Sequence, residues 1–479
     1  MATLTIPKAA NSATKEEIQA LFAQQQAFAP QLVPTTHKQR KAKIKKLLDY
    51  TMSHIEEIQE ALQKDFQKTT AETLLSEILV IKLEAKHTMR HLKKWMKPKR
   101  VSMPLVLPGT SSKIVPEPKG TSLIISPWNY PFNLTIGPLI SAIAAGNTAI
   151  LKPSEMTPHT SALMRKMIEE LFEPQEVCLV EGDVEVAQAL LALPFNHIFF
   201  TGSPQVGKIV MKAAAEHLTS VTLELGGKSP VIVDESAKVK DAAEKVAWGK
   251  TLNNGQTCIA PDYVLVHEKH QDAFKQHYQA AMEKMFGAGE EVQNSDSYSR
   301  IVNARHFNRI KGLVEEAVEN GANVAFGGQM DESENFIAPT LMTEVTDDMK
   351  IMQEEIFGPV LPMMTYSDKD EALRIINGKE RPLSMYVMAR NKKNADYFMS
   401  SVLSGDAVIN DTLIHFSHPS LPFGGVNNSG IGKSGGEAGF KEFSHERSVL
   451  HQVYGTLKPF YPPYTNKVVN LIRMAVKNL

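Results

Sequence analysis

Three polar residues lie at points in the chain where they could perform acyl chemistry. Cys258 follows the polar stretch NNGQT and precedes Pro261, which places its thiol on an accessible connection between a helix and a strand. Glu224 closes the apolar run TLEL, where a carboxylate is costly to bury unless it is paired or used. Asn129 follows the predicted strand TSLIIS, and its amide could donate to a developing oxyanion. A nucleophile, a base and an oxyanion donor at strand ends are the set that chemistry through a thioester requires.

Each of these residues also has an ordinary structural explanation. An Asn in a Pro-flanked turn is more often a turn former than a catalyst, and a single exposed Cys is a weak signal. The other cysteine, Cys178, lies inside the apolar run EVCLV and is typical of a buried structural thiol. The three residues therefore point to chemistry only as a set.

A glycine pattern in FFTGSPQVGKI is a candidate phosphate site. Gly202, four further residues, Gly207 and Lys208 match a P-loop, but Ile209 stands where that loop needs Ser or Thr to hold Mg²⁺. A helix N-terminus with small residues can bind an anion without a metal. The alternatives are a dinucleotide pyrophosphate site, a plain tight turn and a nucleoside triphosphatase loop. The apolar spacing favours the first, because it predicts one buried helix face made of Val206, Ile209, Val210, Ala213 and Ala214.

A second glycine pattern, GIGKSG at Gly430 to Gly435, fits G-x-G-x-x-G letter for letter. The dinucleotide fingerprint follows a buried strand and opens a helix, whereas this pattern follows the loop LPFGGVNNS. We interpret it as a flexible loop or turn and not as the cofactor site.

Histidine spacing does not predict a metal site. His87 and His91 are four residues apart in a basic helix without a nearby acid, and His415 and His418 flank Phe416 in a loop. We therefore predict no bound metal.

Composition narrows the class of protein. The chain has 479 residues, enough for roughly three domains of about 150 residues, and its 52 basic and 53 acidic residues nearly cancel. Such a balance does not point to nucleic acid or an anionic membrane, so the expected partner is a small molecule or a second copy of the chain. Two cysteines exclude a disulfide scaffold, and the first residues lack the apolar core of a secretory signal. We expect a cytoplasmic protein.

Two segments leave alternatives open. The basic run at 86–100 is read as a solvated helix face rather than a nucleic-acid site. The C-terminal run VVNLIRMAVKNL predicts an amphipathic helix, which could dock on the body, on a partner subunit or on a membrane surface.

The elements that would position the candidate residues form two alternating blocks. After a helical region at 14–98 and a Pro-rich extended stretch, five short strands alternate with helices. This rhythm predicts a parallel, doubly wound sheet that binds ligands at the carboxyl ends of its strands. A second α/β block of similar size runs from SPVIVD to GDAVIN. The five predicted strands are TSLIIS, NTAILK, EVCLV, HIFF and SVTLEL.

Over nearly its full length the chain resembles the aldehyde dehydrogenase superfamily. The motifs PWNYPFNL, AGNTAILKPSE, FTGSPQVGK, LELGGKSP, NNGQTC, QEEIFGPV and LPFGGVNNSGIGKSGG are similar to those of the family and follow its order. CIAPDYVLV, FSHERSVL and YPPY resemble the class 3 branch, which oxidises medium-chain aliphatic and aromatic aldehydes. The resemblance implies a doubly wound cofactor domain, an α/β catalytic domain and a small β oligomerisation element, with a homodimer expected. The implied bounds are 1–100 and 121–223 for the NAD(P)-binding domain, 224–416 for the catalytic domain, 101–120 and 440–460 for the oligomerisation element, and 461–479 for a tail.

The resemblance also implies a mechanism. Cys258, as thiolate, attacks the aldehyde carbon, and the Asn129 side chain and the Cys258 backbone N–H hold the oxyanion. Hydride passes to the nicotinamide, and Glu224 acts as general base for the water that hydrolyses the thioester. Relatives that transfer the acyl group to coenzyme A lack this Glu, so hydrolysis is expected.

The cofactor implied is NAD or NADP. Glu155 near the ribose 2′-hydroxyl would repel an added phosphate, which favours NAD, but class 3 relatives often accept both. The residues that the resemblance assigns to the cofactor are Trp128, Lys152, Glu155, Gly202, Ser203, Gly207, Glu355 and Phe357.

For the substrate, we predict a funnel with Tyr130 and Asn133 opposite a loop that carries Thr412 and His415. The motif GVNNSGIGKSGG departs from the family at Asn427, where relatives usually carry Gly or another small residue. A change there could alter specificity but not the chemistry.

Overall fold

The computed structural model describes residues 13–455 and 457–478 of the chain. The first twelve residues of the predicted cofactor domain, Thr456 of the predicted oligomerisation element and Leu479 of the predicted tail lie outside the described residues. The helices are α1 (Lys15–Leu32), α2 (His37–Ser53), α3 (Ile55–Phe66), α4 (Thr70–Thr73), α5 (Leu79–Trp95), α6 (Asn133–Ala145), α7 (Pro158–Leu171), α8 (Val184–Leu191), α9 (Pro204–Ala215), α10 (Val239–Thr251), α11 (Gln271–Phe286), α12 (Ala304–Glu319), α13 (Lys350–Gln353), α14 (Lys369–Asn377), α15 (Lys392–Ser401), α16 (Gly436–Glu442) and α17 (Asn466–Asn478).

The strands form three main sheets and one short hairpin. They are β1 (Lys99–Val101), β2 (Thr110–Pro118), β3 (Thr121–Ile125), β4 (Thr148–Lys152), β5 (Val177–Leu179), β6 (His197–Thr201), β7 (Ser220–Glu224), β8 (Pro230–Val233), β9 (Tyr263–His267), β10 (Asn323–Phe326), β11 (Met330–Asp331), β12 (Phe336–Ile337), β13 (Thr340–Thr343), β14 (Val360–Tyr366), β15 (Ser384–Met388), β16 (Asp406–Ile409), β17 (Gly430–Ile431) and β18 (Ser444–Gln452).

The first sheet is doubly wound, as predicted. Its order is β17-β7-β6-β3-β4-β5, and the strands β3 to β7 are parallel. Strand β3 has β4 on one side and β6 on the other, so the chain changes winding direction at its carboxyl end. Ligands bind at such switch points in open α/β sheets. The apolar helix α6 covers one face and is itself covered by α2 and α5, which explains why it is buried all round.

The second sheet confirms the second α/β block. Its order is β10-β13-β14-β9-β8-β15-β16, with only the edge strand β10 antiparallel. The runs SPVIVD and GDAVIN that bound the predicted block form β8 and β16, whereas the sequence patterns do not identify β13 and β14. Strand β14 carries Pro362, a residue that normally argues against an interior strand.

The third sheet joins the Pro-rich extended stretch to a strand near the C-terminus. Strands β1, β2 and β18 pair antiparallel in that order, and β2 and β18 are paired along nine residues each. The tail helix α17 contacts the short 3₁₀ turn Lys458–Phe460, and Val476 is 78% exposed. Within the described ranges, every helix is too short or too polar to cross a bilayer.

Two sequence predictions about glycine motifs are wrong in detail. Ile209 is 59% exposed and Val206 43%, because α9 turns Gly207, Val210 and Ala214 toward the sheet. The GIGKSG segment is not merely a loop, since β17 pairs antiparallel with the end of β7 and extends the first sheet. In both cases the outcome depends on how the segment packs against the first sheet: α9 by one of its faces, and β17 by pairing with β7.

Candidate active site

The three candidate catalytic residues lie around one region of the molecule. Asn129 follows the carboxyl end of β3, Glu224 is the last residue of β7, and Cys258 lies on the connection between α10 and β9. Glu224 and Cys258 line a cavity of about 350 Å³, together with Tyr130 and Asn133. The structure therefore brings side chains from both sheets to a shared cavity.

Cys258 is half-buried, and the loop before it is tightly wound. Asn253 and Asn254 adopt left-handed backbone conformations with φ of 53° and 57°, which Asn tolerates better than most residues. Gly255 follows with φ 70°, and a Cβ there would lie 2.3 Å from the carbonyl oxygen of Gly358. Burial raises the pKa of the Cys258 thiol, and the carboxyl groups of Glu355 and Glu224 raise it further. The thiol therefore needs a nearby base or cation to become a thiolate.

Asn129 is tied directly to the thiol loop. Its Nδ2 donates to the carbonyl of Gln256 at 2.9 Å, two residues before Cys258. Its own carbonyl oxygen accepts hydrogen bonds from Asn253 Nδ2 at 2.9 Å and from Lys68 Nζ at 3.3 Å. One Nδ2 hydrogen remains for another acceptor, as an oxyanion donor requires.

Glu224 is buried at the end of its strand, only 5% exposed. Neither carboxylate oxygen has a hydrogen-bond partner with normal geometry in the described chain. Burial raises the pKa of this carboxyl well above its usual value, while Ser434 and Lys433 lower it in part. A carboxyl with this perturbation, on a cavity wall, is typical of a functional group.

Two of the four predicted substrate-pocket residues line the cavity, and two do not. Tyr130 and Asn133 line the cavity, and the Tyr130 hydroxyl lies 2.6 Å from Thr257 Oγ1. Thr412 and His415 are not among its lining residues. The Thr412 hydroxyl donates to the carbonyl of Lys245 at 2.9 Å, and the His415 ring lies against Ser384. The same loop does supply the wall, through the neighbouring Leu413, Ile414, Phe416, Ser417 and His418.

The opposite part of the cavity wall was not identified from the sequence. Leu75, Leu79 and Leu134 line it, with Trp248 and Leu252 from the thiol side. An apolar wall with few polar groups suits an apolar ligand. A helical segment with spaced leucines gives no signal that separates core positions from a ligand wall.

The loop between β6 and α9 has the geometry of an anion site. Ser203 caps α9, and its Oγ accepts from the backbone N–H of Val206 at 3.4 Å. A Cβ at Gly202 would lie 2.5 Å from the Phe200 ring, and one at Gly207 would lie 2.7 Å from Leu225. A side chain at either glycine would therefore clash with the packing between loop and sheet.

Three further predicted cofactor residues carry charge. Lys152, at the end of β4, pairs with Glu155 at 2.9 Å. Glu355 is placed against Gly226, where a Cβ would lie 2.2 Å from its Oε2. Burial and the neighbouring Asp262 raise the pKa of the Glu355 carboxyl to about 8, and its Oε1 has no hydrogen-bond partner in the described chain.

The rings of Trp128 and Phe357 are in contact. Their rings meet edge to face at 5.4 Å, and the ring of His306, which the sequence did not single out, lies 5.1 Å from Trp128. Phe357 has φ 49°, an unusual conformation for a bulky residue that often marks a functional site. Burial lowers the pKa of His306 to about 4, so its ring is neutral near pH 7.

These residues fit a dinucleotide. The N-terminus of α9 presents the positive end of a helix dipole to a pyrophosphate, and the orphaned Glu355 Oε1 can accept from a ribose hydroxyl. No group of three His, Cys, Asp or Glu side chains arranged to hold a metal ion occurs in the described part of the chain.

Asn427, the departure noted in the glycine-rich motif, has a conformational explanation. Its φ is 56°, and Asn is the residue after Gly that most readily adopts this region. Arg381 donates to its Oδ1. The substitution therefore keeps the glycine-like turn and adds a side-chain contact.

The fold and the site define a class, an α/β enzyme that binds its ligand at the carboxyl ends of parallel strands. The family model described as the aldehyde dehydrogenase family matches residues 2–449. The chain belongs to the aldehyde dehydrogenase family, whose members are oxidoreductases.

Relatives support this membership over most of the chain. It is 48% identical over 438 residues to the putative aldehyde dehydrogenase AldX of Bacillus subtilis, covering 91% of this chain and 98% of that protein. It is 45% identical over 429 residues to the 4,4'-diaponeurosporen-aldehyde dehydrogenase of Staphylococcus aureus, with coverage of 89% and 92%. It is also 39% identical over 439 residues to aldehyde dehydrogenase family 3 member H1 of Arabidopsis thaliana, with coverage of 91% and 90%. Class 3 enzymes are thus among its relatives.

Solved structures agree with the fold. The substrate-bound state of Staphylococcus aureus AldH matches with a TM-score of 0.90 at 42% identity and covers 96% of this chain and 99% of that one. An NAD+ complex of an aldehyde dehydrogenase from Bacillus cereus matches with a TM-score of 0.84 at 28% identity, with coverage of 92% and 90%.

Proposed function

We propose that this protein oxidises a medium-chain aliphatic or aromatic aldehyde to the carboxylic acid, with reduction of NAD⁺ or NADP⁺. The observation that carries the proposal is the cavity itself, in which an apolar wall surrounds the Cys258 thiol and the Glu224 carboxyl. Family membership supplies the reaction type, and the lining residues support the class of substrate.

In the proposed first step, the Cys258 thiol loses its proton to solvent, the thiolate sulfur forms a bond to the aldehyde carbon, and the carbonyl π electrons move to the oxygen. The Asn129 Nδ2 hydrogen that Gln256 does not use donates to this oxyanion, as does the Cys258 backbone N–H. One oxyanion donor contributes on the order of 3 kcal/mol to such a transition state. The NAD(P)⁺ cofactor, when bound, accepts the hydride that leaves the former aldehyde carbon.

The second step is hydrolysis of the Cys258 thioester. Glu224, in its ionised form, takes a proton from water as the water oxygen bonds to the acyl carbon. The carbon–sulfur bond breaks, the acid leaves, and the Cys258 sulfur is free again. The presence of this carboxyl supports hydrolysis over transfer of the acyl group to coenzyme A.

We propose that Gly202, Ser203 and Gly207 hold the cofactor pyrophosphate, Lys152 and Glu155 the adenosine ribose, and Glu355 the nicotinamide ribose, with Trp128 and Phe357 packed nearby. The negative charge of Glu155 favours NAD over NADP, although its pair with Lys152 partly offsets that charge. The free cysteines fit a reducing compartment, so we propose a cytoplasmic location. We also propose a homodimer formed through the third sheet.

The test is cofactor reduction followed by near-ultraviolet absorbance. A panel of medium-chain aliphatic and aromatic aldehydes is assayed with each cofactor, and Cys258→Ala should abolish the signal. Cys178→Ala is the matched control, because Cys178 is the other cysteine and is buried away from the cavity on β5. If no aldehyde of the panel is oxidised with either cofactor, or if Cys258→Ala retains activity, the proposal is wrong.

A further inference from the structure

The segment between α3 and α5 carries a group of buried charged side chains. They contact two loops, the one after β3 that carries Asn129 and the one that precedes Cys258, which are called the two catalytic loops below. The side chains of Lys68 and Glu77 have 0% exposure, and Glu72 lies between them in the sequence. A π-helical turn at Leu74–Ile78 carries Glu77, and such turns are frequent at functional sites. Buried charges are retained at a cost, so their partners indicate what they do.

The Lys68 ammonium is directed at the loop that follows β3. Its Nζ donates to Glu77 Oε1 at 2.7 Å and to the carbonyl of Asn129 at 3.3 Å, and it lies 3.9 Å from the centre of the Tyr130 ring. Glu77 uses its other oxygen to accept from the backbone N–H of Asn133 at 2.7 Å. The pair therefore holds both ends of this loop.

Glu72 holds the thiol loop in the same way. Its Oε1 accepts from the backbone N–H of Asn253 at 3.1 Å, and its Oε2 accepts from Ser299 Oγ at 2.8 Å. The Asn253 side chain in turn donates to the Asn129 carbonyl, and the Asn129 side chain donates to the Gln256 carbonyl. The two catalytic loops are thus joined at Asn129, and Lys68 shares that carbonyl.

We propose that Lys68, paired with Glu77, is a positioning residue that fixes the Asn129 main chain, so that the free Nδ2 hydrogen is directed at the oxygen of an aldehyde bound to Cys258. The inference rests on the proposed oxyanion role of Asn129. Lys68 does not touch the substrate and acts through Asn129. A catalytic donor must be held with only small deviations in distance and angle from its productive geometry. Two hydrogen bonds to the main-chain carbonyl of Asn129 supply that restraint.

The test removes the pair without leaving a buried charge. Lys68→Met alone would strand the Glu77 carboxylate, whereas Lys68→Met with Glu77→Gln is neutral and keeps an acceptor for the Asn133 N–H. We expect kcat/KM for an aldehyde to fall about 10-fold to 100-fold. The rate of Cys258 alkylation by iodoacetamide, a reaction that forms no oxyanion, should change by no more than about twofold.

Coupling to Asn129 distinguishes positioning from general damage. In an Asn129→Ala background the Lys68/Glu77 pair change should cause no further loss, because the donor that it positions is gone. An equal fold-loss in both backgrounds, or alkylation that falls in proportion to kcat/KM, would overturn the inference. Full activity of the single variant Asn129→Ala would instead show that the oxyanion role of Asn129 is wrong. The inference about Lys68 would then be wrong as well.

Two further variants complete the design. Lys68→Arg keeps the charge with a different donor geometry and provides the same cycle if the neutral pair is unstable. The matched control is Lys43→Met with Glu176→Gln, which removes a partly buried ion pair elsewhere in the same half of the chain. The control should retain wild-type kcat/KM, and a loss as large as that of the Lys68 variants would count against a specific role for Lys68.

Discussion

At the scale of single residues, burial favours the neutral forms of the two candidate reactive groups, the Cys258 thiol and the Glu224 carboxyl. The pKa values of Cys258 and Glu224 are both raised, and burial is the first cause for each. The carboxyl groups of Glu355 and Glu224 also raise the pKa of the Cys258 thiol. A buried acid favours its neutral form, so Glu224 can act as a base only above its raised pKa.

Replacing Glu224 by Gln should separate the two proposed steps. Gln cannot accept a proton from water, so we expect kcat for aldehyde oxidation to fall by about 10² to 10⁴. Alkylation of Cys258 by iodoacetamide should change far less, because the thiol remains and one negative neighbour is lost. Steady-state kinetics and alkylation rates measured on the same preparations check this, and equal loss of both would mean that Glu224 has a different role.

The pH dependence of turnover follows from the same carboxyl. Its raised pKa means that the base form accumulates only as pH rises through that value, well above the range near 4.3 of an ordinary Glu. We expect kcat to increase with pH along this limb in the wild-type enzyme and the limb to disappear in Glu224→Gln. A wild-type kcat that stays constant down to pH 5 would contradict the assignment.

At the scale of elements, the sequence predicted whether a segment is a helix or a strand better than it predicted which face of that element is buried. The alternating strands and helices were identified because apolar runs and helical periods differ along the chain. The buried face of α9 was predicted correctly at Val210 and Ala214 but wrongly at Val206 and Ile209, which are exposed because Gly207 faces the sheet. Helical periodicity shows that a face exists, and a glycine at the contact can replace a large apolar residue.

The loop after β16 illustrates the same limit for the substrate wall. The sequence predicted the polar residues Thr412 and His415 as pocket residues. Both side chains instead hydrogen-bond within the protein, and neighbouring residues of the loop line the cavity. Phe416 lies in this wall and meets Phe423 edge to face at 4.9 Å. This loop therefore adds apolar side chains to the cavity wall, which supports the proposed substrate class.

Shortening Phe416 to Ala should change substrate preference rather than chemistry. The lost ring widens the cavity, so we expect the ratio of kcat/KM for bulky aromatic to short aliphatic aldehydes to rise by about 10-fold. The exposed Leu403, 65% accessible at the end of α15, provides the control Leu403→Ala. An unchanged ratio across the aldehyde panel would show that this wall does not contact the substrate.

At the scale of the whole molecule, the third sheet leaves one long edge open. Strand β18 pairs with β2 on one side and has no other strand neighbour in the described chain. Leu450 on this strand is 54% exposed, and Tyr454 just beyond it is 71% exposed. A nine-residue edge of this kind favours pairing with another chain.

We therefore expect the protein to be a homodimer in solution. Light scattering should give a mass about twice 53.0 kDa, and Leu450→Glu should shift it toward the monomer. Leu218→Glu is the control, since Leu218 is 94% exposed on a different part of the chain. A monomeric wild-type protein at micromolar concentration would contradict the proposal.

The sequence by itself determined the fold class and the family, and it singled out the candidate reactive groups. Those depend on local patterns, such as apolar runs, glycine spacing and a polar residue at a strand end, which a chain displays before it folds. Only the tertiary structure decided which side chains line the cavity, which glycines are required by packing, and what Lys68 and Glu77 contact. In the sequence these two look like ordinary helical charges, because burial and partnership across more than fifty residues arise only when the two sheets and the N-terminal helices pack together.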